Sequence, residues 1–171
     1  MKKLFLMASL LMMGGAVLTS CDNNDDVTMV GDGDTYSIAR DITGSFTAAN
    51  GYKLQTNITL QGADVVLVYR KTMDGTTAVW SQVPRTLYLA EGELDYDFDF
   101  TAGDVQIYAG GGINFGAQNQ TFLNTYLNNQ TFRVVLVPAS FGKNANVDYS
   151  DYKSVAKYYN IQEDKIQNTK K

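Results

Sequence analysis

Residues 93–100 read ELDYDFDF, with a carboxylate at every odd position (Glu93, Asp95, Asp97, Asp99) and an apolar or aromatic residue at every even one. Clustered carboxylates are what calcium sites and glycosidases use. On a strand, alternate residues share a face, so the four do line up. Same-face neighbours then sit about 6.8 Å apart and the four span about 20 Å. Calcium gathers oxygens at about 2.3–2.6 Å, so at most two neighbours can lean onto one ion. A calcium loop would also want glycine at position 100 and glutamate at 106, where the chain has Phe100 and Gln106. The alternation therefore reads as the wet side of a half-buried strand. A surface calcium ion at Asp95 and Asp97 is the one metal alternative left open; otherwise no metal and no cofactor is expected. A two-residue turn at Glu91 and Gly92 would set Leu89 opposite Leu94, Leu87 opposite Tyr96, Tyr88 opposite Asp95 and Thr86 opposite Asp97. That register sorts both strands by polarity, with Arg85 opposite Phe98 as the exception.

The second chemical feature is the single cysteine. Lys2 and Lys3 precede a short apolar run from Leu4 to Leu18. A stable membrane helix needs about 20 apolar residues, so this run reads as an export leader that is removed. It ends in Leu18, Thr19, Ser20 and Cys21, which resembles the lipobox of bacterial lipoproteins. The resemblance implies cleavage before Cys21 and diacylglyceryl transfer to its thiol. Each buried methylene contributes about 0.8 kcal/mol, so two or three acyl chains on one residue hold a protein on a membrane. Residues 1–20 are thus expected to be a signal peptide. Residues 21–35 are expected to be the lipidated cysteine and a flexible acidic tether. Asp22, Asn24 and Asp26 begin an EF-hand pattern, but Val27 stands where its glycine belongs. Acidic residues just behind the cysteine resemble the surface-export signal of Bacteroidota lipoproteins.

Composition removes much other chemistry. There is no histidine, which excludes Ser-His and Cys-His nucleophile pairs and histidine metal sites. One cysteine allows neither an internal disulfide nor a cysteine zinc site. With Lys2 and Lys3 in the leader, 12 basic face 18 acidic residues downstream, a net −6. An acidic chain without a basic stripe is not expected to bind nucleic acid.

The body of the chain predicts about seven or eight short strands divided by turns at Asn50-Gly51, Gly62, Asp74-Gly75, Glu91-Gly92 and residues 102–104. The expected fold is all-β, an antiparallel, immunoglobulin-like β-sandwich over residues 36–161 with one short C-terminal helix; a small closed barrel is the alternative. DVVLVYRKT, residues 64–72, is a continuous apolar run suited to a central strand. Pro84 predicts an edge or a change of sheet. Ser150 is placed to cap a helix whose apolar stripe is Tyr152, Val155, Ala156 and Tyr159, and Asn160 to end it. Residues 162–171 are expected to fray. Residues 110–130 read as a long polar loop, the place where binding surfaces usually lie. Within it Asn114, Phe115, Asn119, Phe122 and Tyr126 are the candidate binding residues.

Three other motifs are weaker. Ser150 and Lys153 match S-x-x-K, but the accompanying elements of a penicillin-binding protein are missing. The glycine-rich residues 110–116 have Phe115 where a dinucleotide fingerprint needs its last glycine. The tyrosines and Trp80 read as strand residues, with a sugar-stacking platform as the alternative.

The stretches YRKTMDGTTAVWSQVPRTLYL, LDYDFDFTAGDVQIYAGG, NQTFRVVLVPASF and VDYSDYKSVAKYYNI resemble a family of small Bacteroidota surface lipoproteins of unknown function. Many of its members carry collagen-like Gly-Pro-x repeats after the lipid cysteine, where this chain has a short acidic tether. The resemblance implies an address and a sandwich and carries over no catalytic residue. The combined expectation is a lipid-anchored outer-membrane or cell-surface protein acting as a non-catalytic binding or adhesion module. Its partners would be membrane lipid through acylated Cys21 and an extracellular ligand. A hydrolase of glycan or peptide working through carboxylates, and a purely structural envelope protein, are the alternatives.

Overall fold

The computed structural model describes residues 37–60, 65–138 and 147–171. The leader, residues 18–21 and the tether lie outside the described residues. Nine strands are described: β1 (Ile38–Gly44), β2 (Lys53–Asn57), β3 (Val65–Asp74), β4 (Thr77–Val83), β5 (Arg85–Leu89), β6 (Gly92–Phe100), β7 (Asp104–Gly111), β8 (Gln130–Val137) and β9 (Gln167–Lys170). They form a five-stranded sheet in the order β4-β3-β8-β1-β9 and a four-stranded sheet in the order β2-β7-β6-β5. The pairings are antiparallel except β1 with β9, which is parallel.

The two sheets face one another across a core to which Ile42, Val68, Phe132 and Val134 come from one side and Leu94, Tyr96, Val105 and Ile107 from the other. At its centre Phe132 meets Phe46 edge-on at 5.7 Å and Tyr96 at 5.6 Å between ring centroids. The fold is thus the expected β-sandwich, with a further layer. Helix α2 (Tyr152–Tyr158), numbered after the short α1 (Gln120–Phe122), packs Tyr152 and Val155 onto Leu67, Tyr69, Val135 and Val137 on the outer face of the larger sheet. This explains the unbroken apolar runs of β3 and β8. Both faces of those strands are covered, so polar alternation has no reason to appear. The single-sided strand β6 keeps its alternation, with Leu94 and Tyr96 buried and Glu93 and Asp97 exposed.

Pro84 marks a change of sheet, as its lost N–H suggests: β4 is an edge of the larger sheet and β5 an edge of the smaller. Three expectations are corrected. The β5–β6 turn is Ala90-Glu91, with Leu89 opposite Gly92, Leu87 opposite Leu94, Thr86 opposite Asp95 and Arg85 opposite Tyr96. The slip is two residues, so every side chain keeps its face. Asp151, not Ser150, caps α2 by accepting from the Lys153 N–H, while the Ser150 hydroxyl donates to Asp148. Asn160 does follow the helix in the left-handed conformation, φ 51°. Residues 162–171 do not fray. Glu163–Lys165 form a helical turn, and β9 pairs beside β1 from Arg40 opposite Gln167 to Thr43 opposite Lys170. Backbone pairing with β1 and an ion pair from Glu163 hold what a polar composition made look loose.

β7 ends at Gly111, φ 107°, where a Cβ would lie 2.2 Å from the Glu93 carbonyl oxygen. Only glycine fits there, and it lets the chain leave the sheet for residues 112–129.

Candidate functional site

The carboxylate stripe lies on the outer face of the smaller sheet, and three of its four members are tied up locally. Thr86 donates to Asp95 at 2.6 Å. Asp97 accepts from the neighbouring Phe98 N–H at 2.8 Å. The Tyr108 hydroxyl donates to Asp99, and this bond pushes its phenol up to about 12. Among the described residues no three acidic side chains gather as a metal cluster.

The candidate binding loop is packed more tightly than its polar composition suggests, although Asn114 and Asn119 are exposed. Phe115 and Phe122 are buried in the sandwich core, with Ile113 and Leu127 beside them. Tyr126 is half-buried against the same core and packs on Phe122 at 4.9 Å. Asn114 accepts from the Gly116 N–H and Asn119 from the Phe122 N–H, each capping a short helical turn. The segment is therefore a plug that closes one end of the sandwich with its own aromatics. Its polar residues serve its turns, and its aromatic ones are spent inward.

Two arginines that the sequence reading passed over carry most of the buried charge. Arg133, on β8, is 5% exposed on the outer face of the larger sheet. Its Nε and Nη2 donate to the two oxygens of Asp41, opposite it on β1, at 2.7 and 3.0 Å. Its Nη1 donates to Glu163 at 2.7 Å and to the Tyr152 hydroxyl at 2.5 Å, and Tyr152 in turn donates to Glu163. The guanidinium lies over Trp80 at 4.1 Å and Tyr152 at 4.8 Å. Trp80 thus already carries a partner on its ring. Planar donors, paired carboxylates and aromatic faces satisfy this charge completely, which makes it a clasp between sheet, helix and C-terminal segment.

Arg70 is the contrast. It is 8% exposed and belongs to the inner face, opposite Phe132 on β8 and Ser81 on β4. Its Nε and Nη2 donate to the Gln130 amide oxygen at 3.1 and 2.7 Å, and Nη2 also to the Thr125 carbonyl at 3.1 Å. Its guanidinium lies 4.6 Å over the Tyr96 ring. All these partners are neutral, and among the described residues no carboxylate pairs with it. Burial pushes the guanidinium below its ordinary value, and Arg85 presses the same way. Arg70, Thr72, Ser81, Val83, Arg85 and Tyr96 line a cavity of about 160 Å³ formed by β3 and β4 of the larger sheet and β5 and β6 of the smaller.

No family model, curated protein or solved structure matches this chain. The signal that would have flagged both arginines is a charge set in an apolar strand run, VVLVYR and FRVVLV, since a buried charge must find partners.

The buried phenols add a pH dependence. Burial pushes Tyr96 up to about 12, with Arg70 opposing, and burial raises Tyr69 and Tyr152 further. A phenol that ionises less readily folded than unfolded contributes stability that is complete below its unfolded value of about 10. That contribution is lost as pH rises through the folded value. The expected result is flat stability from neutral pH to about 10 and steep alkaline unfolding above it. Urea melts across that range, with phenolate absorbance followed in parallel, check it. Tyr96→Phe should make the slope shallower.

Proposed function

We propose that the chain is a lipid-anchored outer-membrane or cell-surface lipoprotein whose β-sandwich is a non-catalytic binding or adhesion module. One observation carries the reading: Leu18, Thr19, Ser20 and Cys21 close a short apolar run that begins after Lys2 and Lys3. The resemblance to small Bacteroidota surface lipoproteins supports the same address. The binding part is supported by the absence of histidine and by the commitment of Asp41 and Glu163, the carboxylates closest to a buried charge, to Arg133. Neither has the free, desolvated carboxyl that acid–base hydrolysis needs.

Metabolic labelling with a clickable palmitate tests the anchor. The wild-type chain should take label and partition with membranes, and Cys21→Ser should take none and keep its leader. Label that persists in the serine variant would end the reading.

A further inference from the structure

We infer that the cavity between Arg70, Ser81 and Arg85 is a binding site for the acid group of a small acidic sugar, a carboxylate or a sulfate ester. This deepens the binding-module reading and rests on it. The first argument is an internal comparison. The fold holds two nearly buried guanidiniums, and Arg133 is neutralised by two carboxylates. Arg70 receives only an amide oxygen, a carbonyl oxygen and a tyrosine face. Burying a cation without a counter-charge is costly, and the acid group of a ligand would supply the charge that Arg70 lacks.

The second argument is the neighbour. Arg85 stands opposite Tyr96 and lines the same cavity as Arg70. Two cations facing one small space repel each other until an anion lies between them. Nε and Nη2 of Arg70 are taken by Gln130 and Thr125, which leaves its Nη1 for a ligand oxygen, while the Arg85 guanidinium brings the planar fork that suits a carboxylate and a sulfate alike. The net −6 of the mature chain makes this cationic spot all the more local.

The third argument is size and lining. Drug-sized ligands need roughly 300–1,000 Å³. About 160 Å³ holds something nearer a single ring. Thr72 and Ser81 offer hydroxyls, and Val83 and Leu87 offer apolar wall. An acid group, several hydroxyls and a C–H face are what a uronate or a sugar sulfate presents. A wider groove of about 460 Å³ shares Arg70 and Thr72 with the cavity, so a longer acidic glycan has room to continue past it.

The test uses the mature acylated chain in a neutral detergent, titrated calorimetrically with glucuronate, glucose 6-sulfate and glucose. One or both acid sugars should bind and glucose should not, and which of the two binds identifies the acid group. Arg85 is exposed on an edge strand, so Arg85→Ala should keep the melting temperature while weakening acid-sugar binding by about tenfold or more. Arg70→Met should abolish it, and Arg70→Lys, which keeps the charge but not the guanidinium that Gln130 and Thr125 hold in place, should fall between. Acid sugars that bind no better than glucose, or as well to Arg85→Ala as to the wild type, overturn the site. A palmitate-labelled chain that ignores acid sugars removes this inference and leaves the anchor standing. An unlabelled chain that binds them does the reverse.

Discussion

Replacing Arg133 with alanine should cost the fold about 3–5 kcal/mol, the range for removing one partner of a buried ion pair. The cost follows from what stays behind. Asp41, also buried, would lose both of its bonds to the guanidinium, at 2.7 and 3.0 Å. The Tyr152 hydroxyl would lose its donor, and Trp80 the cation over its ring. Three elements would lose their common tie at once: β1 through Asp41, α2 through Tyr152 and the C-terminal turn through Glu163. Typical domains are stable by about 5–15 kcal/mol, so the variant would stand near its unfolding threshold. Urea denaturation should show a large fall in midpoint. Arg133→Lys should recover part of the loss, since it restores charge but not the fork or the stack. Glu163→Gln should cost about 1 kcal/mol or less, because the Glu163 side chain is 57% exposed and water already shares its charge. An Arg133→Ala melt within about 0.5 kcal/mol of wild type, the scatter of an ordinary surface change, would mean the cluster is ornament and not clasp.

The same cluster shows what the sequence could and could not tell. Strands were legible because periodicity is a local signal: β6 announces its wet and dry faces residue by residue, and β3 its central place by lacking them. Pro84 announced a break because a missing N–H has the same consequence in any sheet. The hairpin register went astray by two because polarity repeats every two residues, so registers two apart sort side chains equally well. Residues 110–130 hid their packing for another reason. Asparagines and glutamines dominate their composition, yet three of the five candidate binding residues, Phe115, Phe122 and Tyr126, are turned to the core. A polar count cannot see that a few aromatics anchor the rest. The tail failed because its partners are distant in sequence: Glu163 answers Arg133, 30 residues earlier, and β9 answers β1 at the other end of the domain. The unneutralised state of Arg70 was equally invisible, since it depends on which residues are not nearby.

Phe132→Ala is the second change expected to cost about 3–5 kcal/mol, here through the cavity left by a buried ring. Phe132 is fully buried, edge-on to Phe46 and packed against Tyr96. It neighbours Ile42 on one strand and Arg70 on the other, so no flexible element is at hand to fill the gap. Phe132→Leu, which keeps most of the volume, should cost clearly less; equal losses for the two would point to backbone damage and not to a void. The change also carries a consequence that Arg133→Ala lacks. Tyr96 supports the Arg70 guanidinium on its ring and donates its hydroxyl to the Tyr126 carbonyl at 2.6 Å. Loosening Tyr96 should loosen Arg70, so at a temperature where both variants remain folded Phe132→Ala should weaken acid-sugar binding while Arg133→Ala, on the opposite face of the sheet, should leave it intact. Calorimetric titration of the two side by side separates a cavity that depends on the core from one that depends only on the chain being folded.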